Sequence, residues 1–85
     1  MNSQHRAIRA ILQSMSPRRA EAYVRSFHLP EEEELFLLEC DVHGKSYVQA
    51  ARDNAATPEV IKRRRRRAYG KIADEINHRQ EERWG

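Results

Sequence analysis

The sequence predicts an all-α protein of about five helices, the last two forming a C-terminal helix-turn-helix. Three observations lead there. Apolar residues recur at three- and four-residue spacing along most of the chain, as in helices that bury one face. Three helix-start signals punctuate it: Ser16-Pro17, Ser46 with Gln49, and Thr57-Pro58. The last is followed by six consecutive cations, Lys62 to Arg67, on a stretch that also carries an apolar stripe.

The totals set bounds. Eighty-five residues suffice for one small domain with a thin core. A third of the residues are charged and aromatics are few. No apolar run approaches the roughly 20 residues that span a bilayer. Residues 1–13 are polar and basic, without the apolar region of a secretory signal. One cysteine allows no internal disulfide and suits a reducing compartment, so a cytoplasmic setting is expected. The net charge of +3 is unevenly spread: residues 1–28 carry +4, 29–56 carry −5, and 57–85 carry +4. Such asymmetry predicts that a polyanion meets one face, as in a nucleic-acid binder.

The first helix is expected from Ser3 to Met15, with Ala7, Ile8, Ile11, Leu12 and Met15 inward. Ser16 and Pro17 start a second, running to about Phe27, with Ala20, Tyr23, Val24 and Phe27 as its stripe. Residues 1–28 thus read as a basic helical hairpin whose role is packing rather than binding. His28-Leu29-Pro30 breaks the chain, because the residue before proline is pushed out of helical geometry.

A third helix opens with Glu31 to Glu34, four acids that suit the positive end of the helix dipole. Leu35, Leu38 and Val42 should line its inner face, with Phe36 and Leu37 widening it. Gly44 is placed to end it in a left-handed conformation. Ser46 and Gln49 form a capping box for a short fourth helix to about Asn54, with Tyr47, Ala50 and Ala51 inward. Asn54-Ala55-Ala56 is the turn.

Thr57 caps the fifth helix, and Pro58 fits its first position. At 100° per residue, Ala68, Ile72 and Ile76 fall within about 60° of Ile61, while Glu59, Lys62, Arg63 and Arg66 point away. Arg65 lies near the apolar stripe, so its head must reach a phosphate or an acid: Glu33, Glu34 or Asp41. Gly70 is expected to mark a kink. Residues 80–85 should fray, with Trp84 a surface or docking residue.

Residues 29–72 resemble region 4 of bacterial sigma factors. The likeness rests on Leu29-Pro30-Glu31, Gly44, Ser46-Tyr47, Ala51, Thr57, Ile61-Lys62, Arg64 and Ala68, in register without a gap. It covers about half the chain. The resemblance implies a helix-turn-helix on duplex DNA, at promoter elements in true sigma factors, and contact with RNA polymerase. By likeness, Thr57, Glu59, Lys62, Arg63 and Arg66 sit where base or backbone contacts are made, and Ser46 and Tyr47 where the preceding helix touches phosphate. Three departures stand out. Arg65 replaces a usual apolar residue, Asn54-Ala55 replaces the usual Leu-Gly of the turn, and no segment resembles the one that melts promoters. The architecture is closer to small phage-encoded transcriptional regulators, with residues 1–28 as an added helical pair.

The expected function is sequence-specific double-stranded DNA binding in transcription regulation, with residues 58–70 in the major groove. Glu59, Lys62, Arg63 and Arg66 are the expected base contacts, Glu59 being suited to accept from cytosine N4. Lys45, Ser46, Tyr47, Arg52, Thr57, Arg64 and Arg67 are the expected phosphate contacts. One recognition helix reads only a few base pairs, so a homodimer or tethering to RNA polymerase is expected as well. Alternatives are a phage DNA-packaging or replication-initiation module, an RNA polymerase-docking module with weak DNA contact, and an arginine-rich RNA-binding helix. No catalytic constellation, cofactor or metal site is expected. Cys40-x-x-His43 is only half of a zinc motif; Cys40 reads as core and His43 as a cation near a helix C-terminus.

Overall fold

The computed structural model describes residues 3–84. It is all-α, with five helices and no strand among the described residues. They are α1 (Ser3–Ser14), α2 (Pro17–Arg25), α3 (Glu31–Leu37), α4 (Tyr47–Asp53) and α5 (Pro58–Trp84). No helix is long and apolar enough to cross a membrane, among the described residues.

Helix α5 is the spine. Its 27 residues make a rod of about 40 Å at ~1.5 Å per residue. That accounts for most of the 45 Å long dimension of the molecule. Its N-terminal half contributes Ile61 to a small cluster with Phe36 of α3 and Ala50 and Ala51 of α4. The two alanines let α4 approach closely. Its C-terminal half contributes Ala68, Tyr69, Ile72 and Ala73 to a larger cluster. There it meets Ile8 and Leu12 of α1, Ala20 and Val24 of α2, and Leu37 and Leu38. Each fully buried large side chain contributes about 1.5–3 kcal/mol of transfer free energy.

The start signals form as expected in two cases and by half in the third. Ser16 Oγ accepts from the Arg19 amide at 3.4 Å, and Thr57 Oγ1 from the Val60 amide at 3.3 Å. Ser46 Oγ accepts from the Gln49 amide at 3.1 Å. The return bond from the Gln49 side chain is absent among the described residues.

Several expectations are corrected. On α1, Ile8 and Leu12 are buried but Ala7 and Ile11 are exposed, because the helix meets the core along a narrower stripe. On α3 the inner face centres on Phe36 and Leu37, which turns Leu35 outward. The third helix does not run on as α-helix to Gly44. A π-helical turn follows over Leu38–Val42, closed by the His43 amide on the Leu38 carbonyl at 2.9 Å. Gly44 then takes φ +73°, the left-handed stop predicted for it. Cys40 is half-buried at the edge of the smaller cluster rather than in the core. Helix α5 is assigned without a break through Gly70. That helix also continues to Trp84, through most of the stretch expected to fray. The reading of Trp84 as a surface or docking residue falls on a side chain outside the described ones.

Candidate nucleic-acid interface

The sequence from Ser46 to Arg67 sets the geometry of one basic face. Helix α4 ends on Asn54, whose Nδ2 donates to the Ala50 carbonyl at 2.8 Å and to Glu39 Oε2 at 3.0 Å. Ala55 then adopts φ +51°. This is the left-handed conformation that a glycine would take at lower cost. The Ala56 amide closes the turn on the Ala51 carbonyl at 2.9 Å. Thr57 opens α5, and Ile61, wholly buried, fixes the rotation of the helix about its axis.

With Ile61 inward, the outward face is determined. Glu59, Lys62, Arg63 and Arg66, the four expected base contacts, are all exposed. Together they line one shallow depression of about 310 Å³. Among the described residues, Lys62, Arg63, Arg66 and Arg67 make no ion pair or side-chain hydrogen bond. Arg52 on α4 is likewise exposed without a partner. A face of unpaired cations on a rigid helix attracts a polyanion and leaves the donors ready to bond.

The remaining expected phosphate contacts are already engaged in the fold. Lys45 Nζ lies 3.0 Å from Asp53 Oδ2 and 3.4 Å from Glu39 Oε2. The Asp53 hydrogen bond is the main cause raising the Lys45 pKa. Arg64 Nε lies 3.3 Å from Glu32 Oε2. The Ser46 and Thr57 hydroxyls cap helices, and the Tyr47 hydroxyl accepts from Arg65 Nη1 at 2.9 Å. Thus the seven are not one group: Arg52 and Arg67 are open, and five are held by the protein itself.

Behind this face lies a polar network that the sequence signals only through the misplaced Arg65. Of the three acids named as partners for it, the structure selects Asp41. Arg65 is 9% exposed, and it donates to Asp41 through Nε at 2.6 Å and Nη2 at 2.9 Å. Burial acts to lower the Arg65 pKa, but the Asp41 bond and charge outweigh it, so the net shift is upward. The Arg65 Cζ also sits 5.0 Å from the centre of the Tyr69 ring. Arg9 of α1 joins at 3.5 Å from Asp41 Oδ1. Glu33 is buried and ion-paired with Lys71 Nζ at 2.9 Å instead. Its role therefore exceeds that of a dipole partner.

Tyr69 carries no motif in the sequence, and His5, which spacing puts on the outer side of α1 and which could be read only as an added metal ligand, packs against it instead. Tyr69 is wholly buried, and its ring stacks on His5 with centroids 5.6 Å apart and planes at 22°. Its hydroxyl lies beside Asp41 and Arg65 without a well-aligned hydrogen bond to either. Burial, then Asp41, pushes its pKa well above the ordinary tyrosine value. The signal available was spacing alone: Tyr69 follows Arg65 by four and Lys62 by seven.

Among the described residues, no three His, Cys, Asp or Glu side chains gather into a metal-binding group. His43 Nε2 instead lies 3.0 Å from Glu21 Oε1. Burial and then Asp41 raise the Cys40 thiol pKa. Comparison with protein-family models, with curated proteins and with solved structures finds no significant match to this chain.

Proposed function

We propose that this chain binds double-stranded DNA sequence-specifically in transcription regulation. In this reading α4 and α5 act as a helix-turn-helix, and the first half of α5 enters the major groove. One observation carries it. Lys62, Arg63 and Arg66, unpaired and exposed, share one depression with Glu59 on a helix whose rotation is locked by Ile61. Arg and Lys so presented can donate to guanine O6 and N7, and Glu59 can accept from cytosine N4. Arg52 and Arg67 then flank the face as phosphate contacts. The resemblance of residues 29–72 to sigma factor region 4 supports the same assignment. A DNA-packaging or replication-initiation role would use the same face on phage DNA, and selection of the bound sequence separates these roles.

The second reading is docking on RNA polymerase through the Leu35–Leu38 helix. Leu35 favours it, being 38% exposed beside exposed Glu31 and Glu32. Leu38 does not, since it belongs to the core.

The test is a salt titration by fluorescence anisotropy on mixed-sequence duplex DNA and on duplex RNA. Log K should fall with log salt, at about 0.9 per phosphate contact. The Arg63→Ala, Arg66→Ala double variant should weaken DNA binding and flatten that slope. Equal or tighter binding to duplex RNA sinks the DNA reading in favour of an arginine-rich RNA binder. No binding to either at about 100 mM salt removes the interface and leaves polymerase docking.

A further inference from the structure

A second depression, of about 220 Å³, lies on the flank of the same helix, between α1, α4 and α5. His5, Tyr47, Lys62, Arg65, Arg66 and Tyr69 line it. No carboxylate is among them. Lys62 and Arg66 stand one helical turn apart and belong to both depressions, so they form the ridge between them. Their ammonium and guanidinium groups have no partner among the described residues. The floor is rigid: Arg65 is clamped by Asp41, and the Tyr69 ring is held between Arg65 and the His5 imidazole. The Tyr69 hydroxyl is buried beside Asp41 and Arg65, without a well-aligned bond to either.

We infer that the cleft between α1 and α5 is a phosphate-binding site, formed by Lys62 and Arg66 from one side and His5 from the other. The inference rests on the DNA-binding reading only for the source of the phosphate, which is then a backbone phosphate of the duplex. It assigns α1 a role beyond packing, because His5 closes the site. It also gives Lys62 and Arg66 a backbone to hold, leaving Arg63 and Glu59 on the far flank to meet bases.

The test follows the ring signals of His5 and Tyr69 by NMR in the full chain, with duplex DNA and inorganic phosphate added separately. In parallel, His5→Glu is compared with wild type in the salt titration. If DNA moves both rings, and His5→Glu reduces the slope of log K on log salt by about 0.9, the site holds a backbone phosphate. If inorganic phosphate moves them and DNA does not, the site stands and its source is free phosphate. If DNA binds through Arg63 while neither ring responds to either probe, the cleft is overturned and the interface survives. If neither probe binds or moves a ring, both are overturned.

Discussion

Arg65 and Asp41, twenty-four residues apart in the chain, are joined by two parallel hydrogen bonds of 2.6 and 2.9 Å. The Asp41 side chain is 2% exposed, and the guanidinium bonds the Tyr47 hydroxyl as well. One side chain of α5 is thereby tied to the π-helical turn and to α4. A buried bidentate pair is costly to break, because the survivor is left as an uncompensated charge. Arg65→Ala and Asp41→Asn should each lose about 3–5 kcal/mol in urea unfolding. Replacing both by leucine should recover much of that loss. A single-variant loss below about 1 kcal/mol, the range of exposed pairs, would show that the pair is solvated.

Tyr69→Phe should stabilise the protein. The hydroxyl is buried beside Asp41 and Arg65 without a well-aligned bond to either, and a poorly satisfied buried group costs up to about 1–3 kcal/mol. The variant should also change the alkaline limb. Burial, then Asp41, raises the folded-state pKa of Tyr69 above its ordinary value of 10.0. Above pH 10.0 the unfolded chain loses this proton and the folded chain keeps it. Stability therefore falls as pH rises, by up to about 1.4 kcal/mol per pH unit. Below pH 10.0 the term is constant. Thermal unfolding of both proteins across this range should show that the Phe variant lacks this slope.

Gly70→Ala should add about 1 kcal/mol, the helix-propensity difference. A Cβ at Gly70 meets nothing within 4 Å, and the helix runs straight through in hydrogen bonding. DNA affinity should not change. A variant that gains stability but loses binding would mean that α5 must bend there on DNA.

Ala55→Gly should be neutral to stabilising. The left-handed φ of +51° costs a non-glycine residue roughly 1–2 kcal/mol. Glycine gives back about 0.4–1 kcal/mol through the freer unfolded chain. The net gain should lie within about 1 kcal/mol, read as a shift in the denaturation midpoint at unchanged m. Destabilisation would show that the turn gains more from the alanine methyl than it loses in strain.

Glu32→Gln should tighten DNA binding. Arg64 is held 3.3 Å from Glu32, whereas Arg63 has no partner among the described residues. Arg64→Ala should therefore cost less affinity than Arg63→Ala, and Glu32→Gln should free Arg64 and steepen the salt slope. The three variants compared at one salt concentration decide it; an Arg64→Ala loss equal to that of Arg63→Ala would show that DNA displaces Glu32.

Helix identity was legible because local signals suffice for it. Ser16, Ser46 and Thr57 each act within three residues, and Ile61, Ala68 and Ile72 declare one face by spacing alone. The outward position of Glu59, Lys62, Arg63 and Arg66 follows from that same phase. What stayed hidden depends on contacts distant in the chain. Nothing near Lys45 or Arg64 announces that Asp53 and Glu32 hold them. Asp41 could not be chosen over Glu33 before the π-helical turn and the packing of α3 on α5 were known. His5 and Tyr69 lie sixty-four positions apart in the sequence and meet only through the packing of α1 on α5. The outward position of Leu35 had the same origin, since Phe36 faces one apolar cluster and Leu37 and Leu38 the other.

Because α5 supplies Ile61 to one apolar cluster and Tyr69 and Ile72 to the other, loss of either cluster weakens the helix on which the other is built. The chain should therefore unfold in one cooperative step, with no half-ordered species in which the basic helix stands alone. The cations from Lys62 to Arg67 would then be held most firmly as an organised surface when the N-terminal hairpin is docked. A protease or a lesion that opens α1 and α2 would disarm the distant face without touching it.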